Sequence, residues 1–101
     1  MSFYSITDKA ENDLDELAYF VAKDNVVVGL NLYEEAERTF ENLVNNPKMG
    51  MKYMTINTKL NNIRFFPMKK FSKYFVFYEE LNDQIRVIRI LHYSRDIKDL
   101  I

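Results

Sequence analysis

The spacing of apolar positions changes along this chain, and each change marks an element. Phe3-Tyr4-Ser5-Ile6 is short and rich in aromatic and β-branched side chains, which predicts a strand. Ala10, Leu14, Leu17, Ala18 and Val21 then recur at intervals of three and four, so residues 8–23 read as an amphipathic helix. Thr7 can cap it, and Asp8 sits near the positive end of its dipole. Glu11, Asp13, Asp15 and Glu16 fall off the stripe and make its outer surface acidic. Asp24-Asn25 interrupts the pattern and can cap a second helix, whose buried stripe is Leu32, Ala36, Phe40, Leu43 and Val44. Asn45-Asn46-Pro47 ends that helix, because proline has no N–H and disfavours helix in the residue before it. The short connection predicts an antiparallel helical hairpin. Gly50 marks a turn, and residues 51–61, without a clear period, read as a loop or an irregular extended segment.

From Ile63 the period becomes two. Ile63-Arg64-Phe65-Phe66 reads as a strand limited by Pro67 at a bulge. Lys73 to Glu79 is the strongest strand signal, Leu81-Asn82-Asp83 is a turn, and Gln84 to Leu91 is the last strand. Strict alternation puts Ile85, Val87 and Leu91 on one face with Arg89 among them, and Arg86, Ile88, Ile90 and His92 on the other. The order β-α-α-β-β-β predicts an α+β fold in which a helical hairpin packs on a small twisted, mainly antiparallel sheet, as one domain over residues 1–101. The sheet carries more aromatic side chains than one hairpin can cover, so an exposed apolar patch is expected on it.

Composition narrows the chemistry. There is no cysteine, which excludes disulfides and thiolate metal sites, and one histidine, His92, which excludes a multi-histidine metal centre. No apolar run approaches the ~20 residues of a membrane helix, and the first residues lack the basic-then-apolar order of a signal peptide. A cytoplasmic protein that needs no membrane, cofactor or metal is the expectation. The net charge of −1 conceals a division. Residues 1–47 carry ten acidic and three basic side chains, a balance of −7, and residues 48–101 carry five and eleven, a balance of +6. The acidic half suits solvated helix faces. The basic half, with Arg64, Lys69, Lys70, Lys73, Arg86, Arg89, Arg95 and Lys98 on strands and loops, suits phosphates or an acidic partner segment.

Each candidate also has a structural reading. An arginine among aliphatic neighbours, as Arg89 is, usually pairs with a carboxylate or lies at a sheet margin. Arg64 can point across the sheet toward Arg86 or the tail, and Lys69-Lys70 is most simply a solvated turn. His92 can serve as general acid or base, or hold a strand end by a hydrogen bond. Ser94 has no nucleophile elbow around it, and Tyr74 and Tyr78 are first of all sheet residues.

Taken together, Ile63-Arg64-Phe65-Phe66-Pro67, Tyr74-Phe75-Val76-Phe77-Tyr78 and Ile88-Arg89-Ile90-Leu91-His92 with Arg95-Asp96 resemble the ParE branch of the RelE/ParE toxin superfamily. Thr7, Ala10, Asp13-Leu14, Asp24-Asn25, Asn46-Pro47 and Gly50 fit the same pattern. The resemblance implies the toxin of a type II toxin–antitoxin pair, neutralised by a cognate antitoxin whose C-terminal segment wraps it. It also implies action on DNA gyrase by binding rather than catalysis, with no sequence-specific DNA binding by this chain alone. Arg64, Arg89, His92 and Arg95 are the expected target-binding residues. The alternative within the superfamily is a RelE-like nuclease cutting mRNA on the ribosome, with Arg64, His92, Tyr93 and Arg95 as the catalytic candidates. Phe75, where many such nucleases have a following arginine, and the absence of a tyrosine after Arg95 depart from that pattern.

Overall fold

A computed structural model describes residues 3–54 and 62–95. The sequence readings that fall on residues 55–61, and on Asp96, Lys98 and the rest of 96–101, lie outside the described residues. Strand β1 (Phe3–Ile6) leads into helix α1 (Asp8–Asp24), which turns at Asn25 into α2 (Val26–Asn45). Strands β2 (Met51–Lys52), β3 (Ile63–Met68), β4 (Phe71–Leu81) and β5 (Gln84–His92) follow. All five strands form one sheet in the order β1-β5-β4-β3-β2. β1 runs parallel to β5, and the other pairs are antiparallel.

Both helices start where their capping side chains dictate. The Thr7 hydroxyl accepts from the Ala10 N–H at 3.1 Å and donates to the Ile88 carbonyl at 2.8 Å, so one side chain caps α1 and ties it to β5. The Asn25 carboxamide accepts from the Val28 N–H at 3.1 Å and separates the two helices in a single residue. Gly29 lets them approach closely, since a Cβ there would lie 2.7 Å from the Ala22 Cβ.

β3 continues through Pro67 to Met68 and shifts register between them, so the proline lies at a bulge, as its missing donor suggests. β2 pairs with Arg64 and Phe65 of β3, and the Tyr53 N–H just beyond it donates to the Ile63 carbonyl at 2.8 Å. A second irregularity changes the faces of β5. Phe77 pairs with Arg89 and Tyr78 with Val87, which leaves Ile88 as an extra residue. Beyond it the alternation slips by one position. Ile90 therefore joins Ile85 and Val87 in the core under the helices, while Leu91 and Ile88 pack on the opposite face with Ile63 and Phe77. The strict alternation read from sequence placed Leu91 and Ile90 the other way round.

The exposed apolar surface also differs from expectation. On the sheet face opposite the helices Ile63, Phe77 and Leu91 are buried, and Phe65, Phe75 and Tyr53 pack half-buried against them. Among the described residues the large exposed apolar side chains fall in two places, on the hairpin from Tyr19 to Tyr33 and around edge strand β2 at Met49, Met51 and Met54, with Phe3 and Tyr93 exposed apart from both.

Candidate functional site

The C-terminal end of β5 sets His92 beside the middle turns of α1, and the turn after it brings Ser94 and Arg95 back toward the helix. His92, Ser94, Arg95 and Tyr74 line a cavity of about 380 Å³ whose helical wall is Asp13, Glu16, Leu17 and Phe20. The His92 ring lies 5.0 Å from the Tyr74 ring, edge-on, and 4.9 Å from the Tyr93 ring. Nδ1 of His92 accepts from the Ser94 N–H at 3.1 Å, with the Ser94 hydroxyl 2.6 Å away. In the neutral imidazole this leaves the proton on Nε2, as a donor. The Tyr93 N–H donates to the Lys73 carbonyl at 2.8 Å, which continues the sheet past His92, and the Arg95 N–H donates to the His92 carbonyl at 3.0 Å, closing the turn.

Arg89 belongs to the wall behind this cavity. Its Nε and Nη2 donate to the two Asp13 carboxylate oxygens at 2.7 and 2.9 Å. The same carboxylate accepts from the Ile90 N–H at 3.0 Å. Both side chains are largely buried, at 14% and 9% exposed. Donating to the Asp13 carboxylate raises the Arg89 guanidinium above its usual value, against the opposing effect of burial. Asp13 therefore fixes α1 to β5 at the point where the Ile88 bulge turns the strand.

Arg64 stands elsewhere. It pairs with Tyr78, four residues along β4 from the Tyr74 partner of His92, or about 13 Å of strand. Its guanidinium donates to the Gly50 carbonyl at 2.8 Å and the Lys48 carbonyl at 3.4 Å. The buried Tyr78 hydroxyl works on the same turn, donating to the Pro47 carbonyl at 2.7 Å and accepting from the Gly50 N–H at 2.9 Å. Burial raises its phenol above the usual tyrosine range. A Cβ at Gly50 would overlap that phenol and sit 3.0 Å from the Phe65 carbonyl oxygen, so the turn is built around a residue without one.

The remaining cations are dispersed. Arg86 pairs with Glu79, Lys48 with Glu80 at 3.5 Å, and Lys70 with the buried Glu35 at 3.4 Å. The Lys69-Lys70 turn is exposed, yet it is docked on α2, because the Lys69 N–H donates to the Thr39 hydroxyl at 3.2 Å. Arg64, Arg86, Arg89, Lys48 and Lys70 are thus each turned to a separate partner within the chain. Of the four sequence candidates, His92 and Arg95 share a cavity, Arg89 supports it from behind, and Arg64 holds a distant turn. Sequence reasoning missed Asp13 as the partner of Arg89. The signal was its place at the margin of the α1 apolar stripe, between Ala10 and Leu17. It also missed Ser94 as the group that orients His92.

The profile of a family described as the ParE toxin of the type II toxin–antitoxin system parDE matches residues 4–97. Among solved structures, a chain of the chromosomal ParDE toxin–antitoxin system from P. aeruginosa superposes with a TM-score of 0.63 at 18% identity, over 91% of this chain and 95% of the other. At that identity the likeness is one of fold. No curated protein matches the sequence.

Proposed function

This chain belongs to the ParE toxin family of type II toxin–antitoxin systems, and we propose that it acts by binding DNA gyrase and is held inactive by a cognate antitoxin. Binding is favoured over catalysis by the engagement of its cations. Arg64 is turned onto backbone carbonyls, Arg86 onto Glu79 and Arg89 onto Asp13. Phosphodiester cleavage needs donors aimed at the oxygens where charge develops, and these three arginines are aimed within the chain. His92 and Arg95 are the groups that meet the target, at the end of the sheet beside α1. Arg89 and Asp13 position them through β5, and Arg64 acts through the 48–50 turn.

One observation favours the nuclease reading: His92 stands between Tyr74 and Tyr93 with Arg95 in the same cavity. The two readings separate in a pair of assays with the purified full chain. Inhibition of gyrase supercoiling, lost in Arg95→Glu without loss of folding, is the expected result. Unimpaired supercoiling, with ribosome-bound mRNA cut by the chain and spared by His92→Ala, would overturn it.

A further inference from the structure

The serine beside His92 meets the conditions of an activated nucleophile. Its hydroxyl lies 2.6 Å from Nδ1, and its own N–H donates to the same nitrogen at 3.1 Å. That N–H fixes Nδ1 as the unprotonated nitrogen, so the imidazole is in the tautomer that can take the hydroxyl proton. Two rings hold it there, Tyr74 edge-on at 5.0 Å and Tyr93 tilted at 4.9 Å. Ser94 is exposed and lines the cavity of about 380 Å³, so its oxygen is open to a small reagent. Arg95 lines the same cavity, and among the described residues its guanidinium has no hydrogen-bond or ion-pair partner. Ser72 on β4 is exposed as well, but the chain has one imidazole and it is turned to Ser94.

We propose that Ser94 is a nucleophile that accepts an acyl group from an activated ester, with His92 as its general base. The Ser94 oxygen attacks the ester carbonyl carbon while its proton passes to Nδ1. The oxyanion formed at that carbon shares the cavity with the Arg95 charge, which favours it. When the intermediate collapses, the bond from carbon to the leaving oxygen breaks. The leaving oxygen takes the proton from Nδ1, the acyl group stays on Ser94 as an ester, and His92 is neutral again. Leu17, Phe20 and Ile90 offer the acyl chain an apolar wall, and the Glu16 carboxylate opposes an anionic one. The favoured donor therefore carries a short, uncharged acyl chain.

The test exposes the full chain to p-nitrophenyl butyrate and follows p-nitrophenolate release together with the masses of the chain and its peptides. A burst of about one p-nitrophenolate per chain is expected, with the label on the peptide that holds Ser94. Ser94→Ala should abolish it, and His92→Ala should slow it at least about a hundredfold, the lower range for a general base. Arg95→Gln should slow it about tenfold or more. Ser72→Ala should leave it unaltered, and the p-nitrophenyl ester of succinate should react more slowly than the butyrate. Ser94 and Arg95 are exposed, so urea melts of their variants should coincide with that of the parent chain. If His92→Ala does not fold, the parent chain unfolded in urea decides instead, since it keeps the serine, loses the imidazole beside it and should show no burst. Label spread over lysines or on Tyr93, label undiminished in Ser94→Ala, or an equal rate in the unfolded chain would overturn the proposal. The readout is a covalent bond, so its outcome is independent of gyrase inhibition.

Discussion

Substituting Asp13 by alanine should be among the most destabilising single changes in this protein. The carboxylate holds the Arg89 guanidinium through two hydrogen bonds and the Ile90 N–H through a third. Unit charges about 4 Å apart attract by about 4 kcal/mol at an effective dielectric constant of 20. Removing one partner of a buried pair typically costs 3–5 kcal/mol, because the other charge stays in place uncompensated. Both approaches point to a loss of about 4 kcal/mol, which lowers the melting temperature of a chain this size by roughly 15–30 °C. Asp13→Asn keeps an acceptor for the Ile90 N–H and should lose less, about 1–3 kcal/mol. Arg89→Met in the Asp13→Ala background removes the stranded charge. The double variant should therefore be more stable than the sum of the single losses implies, by about 1–3 kcal/mol. Urea melts of the four proteins supply the cycle. A loss below about 1 kcal/mol in Asp13→Ala, the range of exposed ion pairs, or strict additivity in the double variant, would refute the assignment of this pair as the tie between α1 and β5.

Tyr78→Phe strands the buried Gly50 N–H and Pro47 carbonyl and should cost about 1–3 kcal/mol by thermal melt. The parent chain should also weaken in alkali, because the Tyr78 phenol is raised when folded. The unfolded chain then releases the proton first, so stability is fully present below about pH 10 and falls as pH rises toward the folded value. Tyr78→Phe should show a shallower alkaline decline, and an identical one would count against that assignment. Thr7→Ala removes both a helix cap and the bond to the Ile88 carbonyl and should cost about 1–2 kcal/mol in a urea melt. Arg95→Glu, at an exposed turn, should change stability by no more than about 0.5 kcal/mol while growth inhibition is lost; a fully toxic variant would remove Arg95 from the working surface.

What the sequence reveals and what it hides divide by range. Thr7, Asn25 and Pro47 act within a few residues of themselves, so the caps and the helix end are legible without a structure. The stripe from Ala10 to Leu17 likewise finds its own face by period. The Ile88 bulge cannot be read this way. An inserted residue leaves composition and alternation locally intact and shows only when β4 is laid beside β5. The pairing of β1 with β5 is hidden for the same reason, since nothing in Phe3-Tyr4-Ser5-Ile6 specifies a neighbour or a direction. The candidate cations were found by type, but their roles depend on Asp13, Glu79 and the Gly50 carbonyl, which long-range packing delivers. His92 and Arg95 were found together because they lie three residues apart on one turn.

The parallel pairing of β1 with β5 also governs the order in which this protein can be assembled during synthesis. The Thr7 hydroxyl bonds to a carbonyl 81 residues later, and Asp13 to a guanidinium 76 residues later. The α1–α2 hairpin can emerge from the ribosome and close on itself by local contacts, but its first strand has no partner until β5 has been translated. Contacts so distant in sequence slow folding, because the closure entropy of the intervening chain must be overcome before they form. A nascent toxin therefore keeps its core face open, and the cavity of His92 and Arg95 unformed, until β5 and the turn after it exist. Chains released early, before β5, would expose the apolar stripes of both helices and enter aggregation or proteolysis instead of the active state.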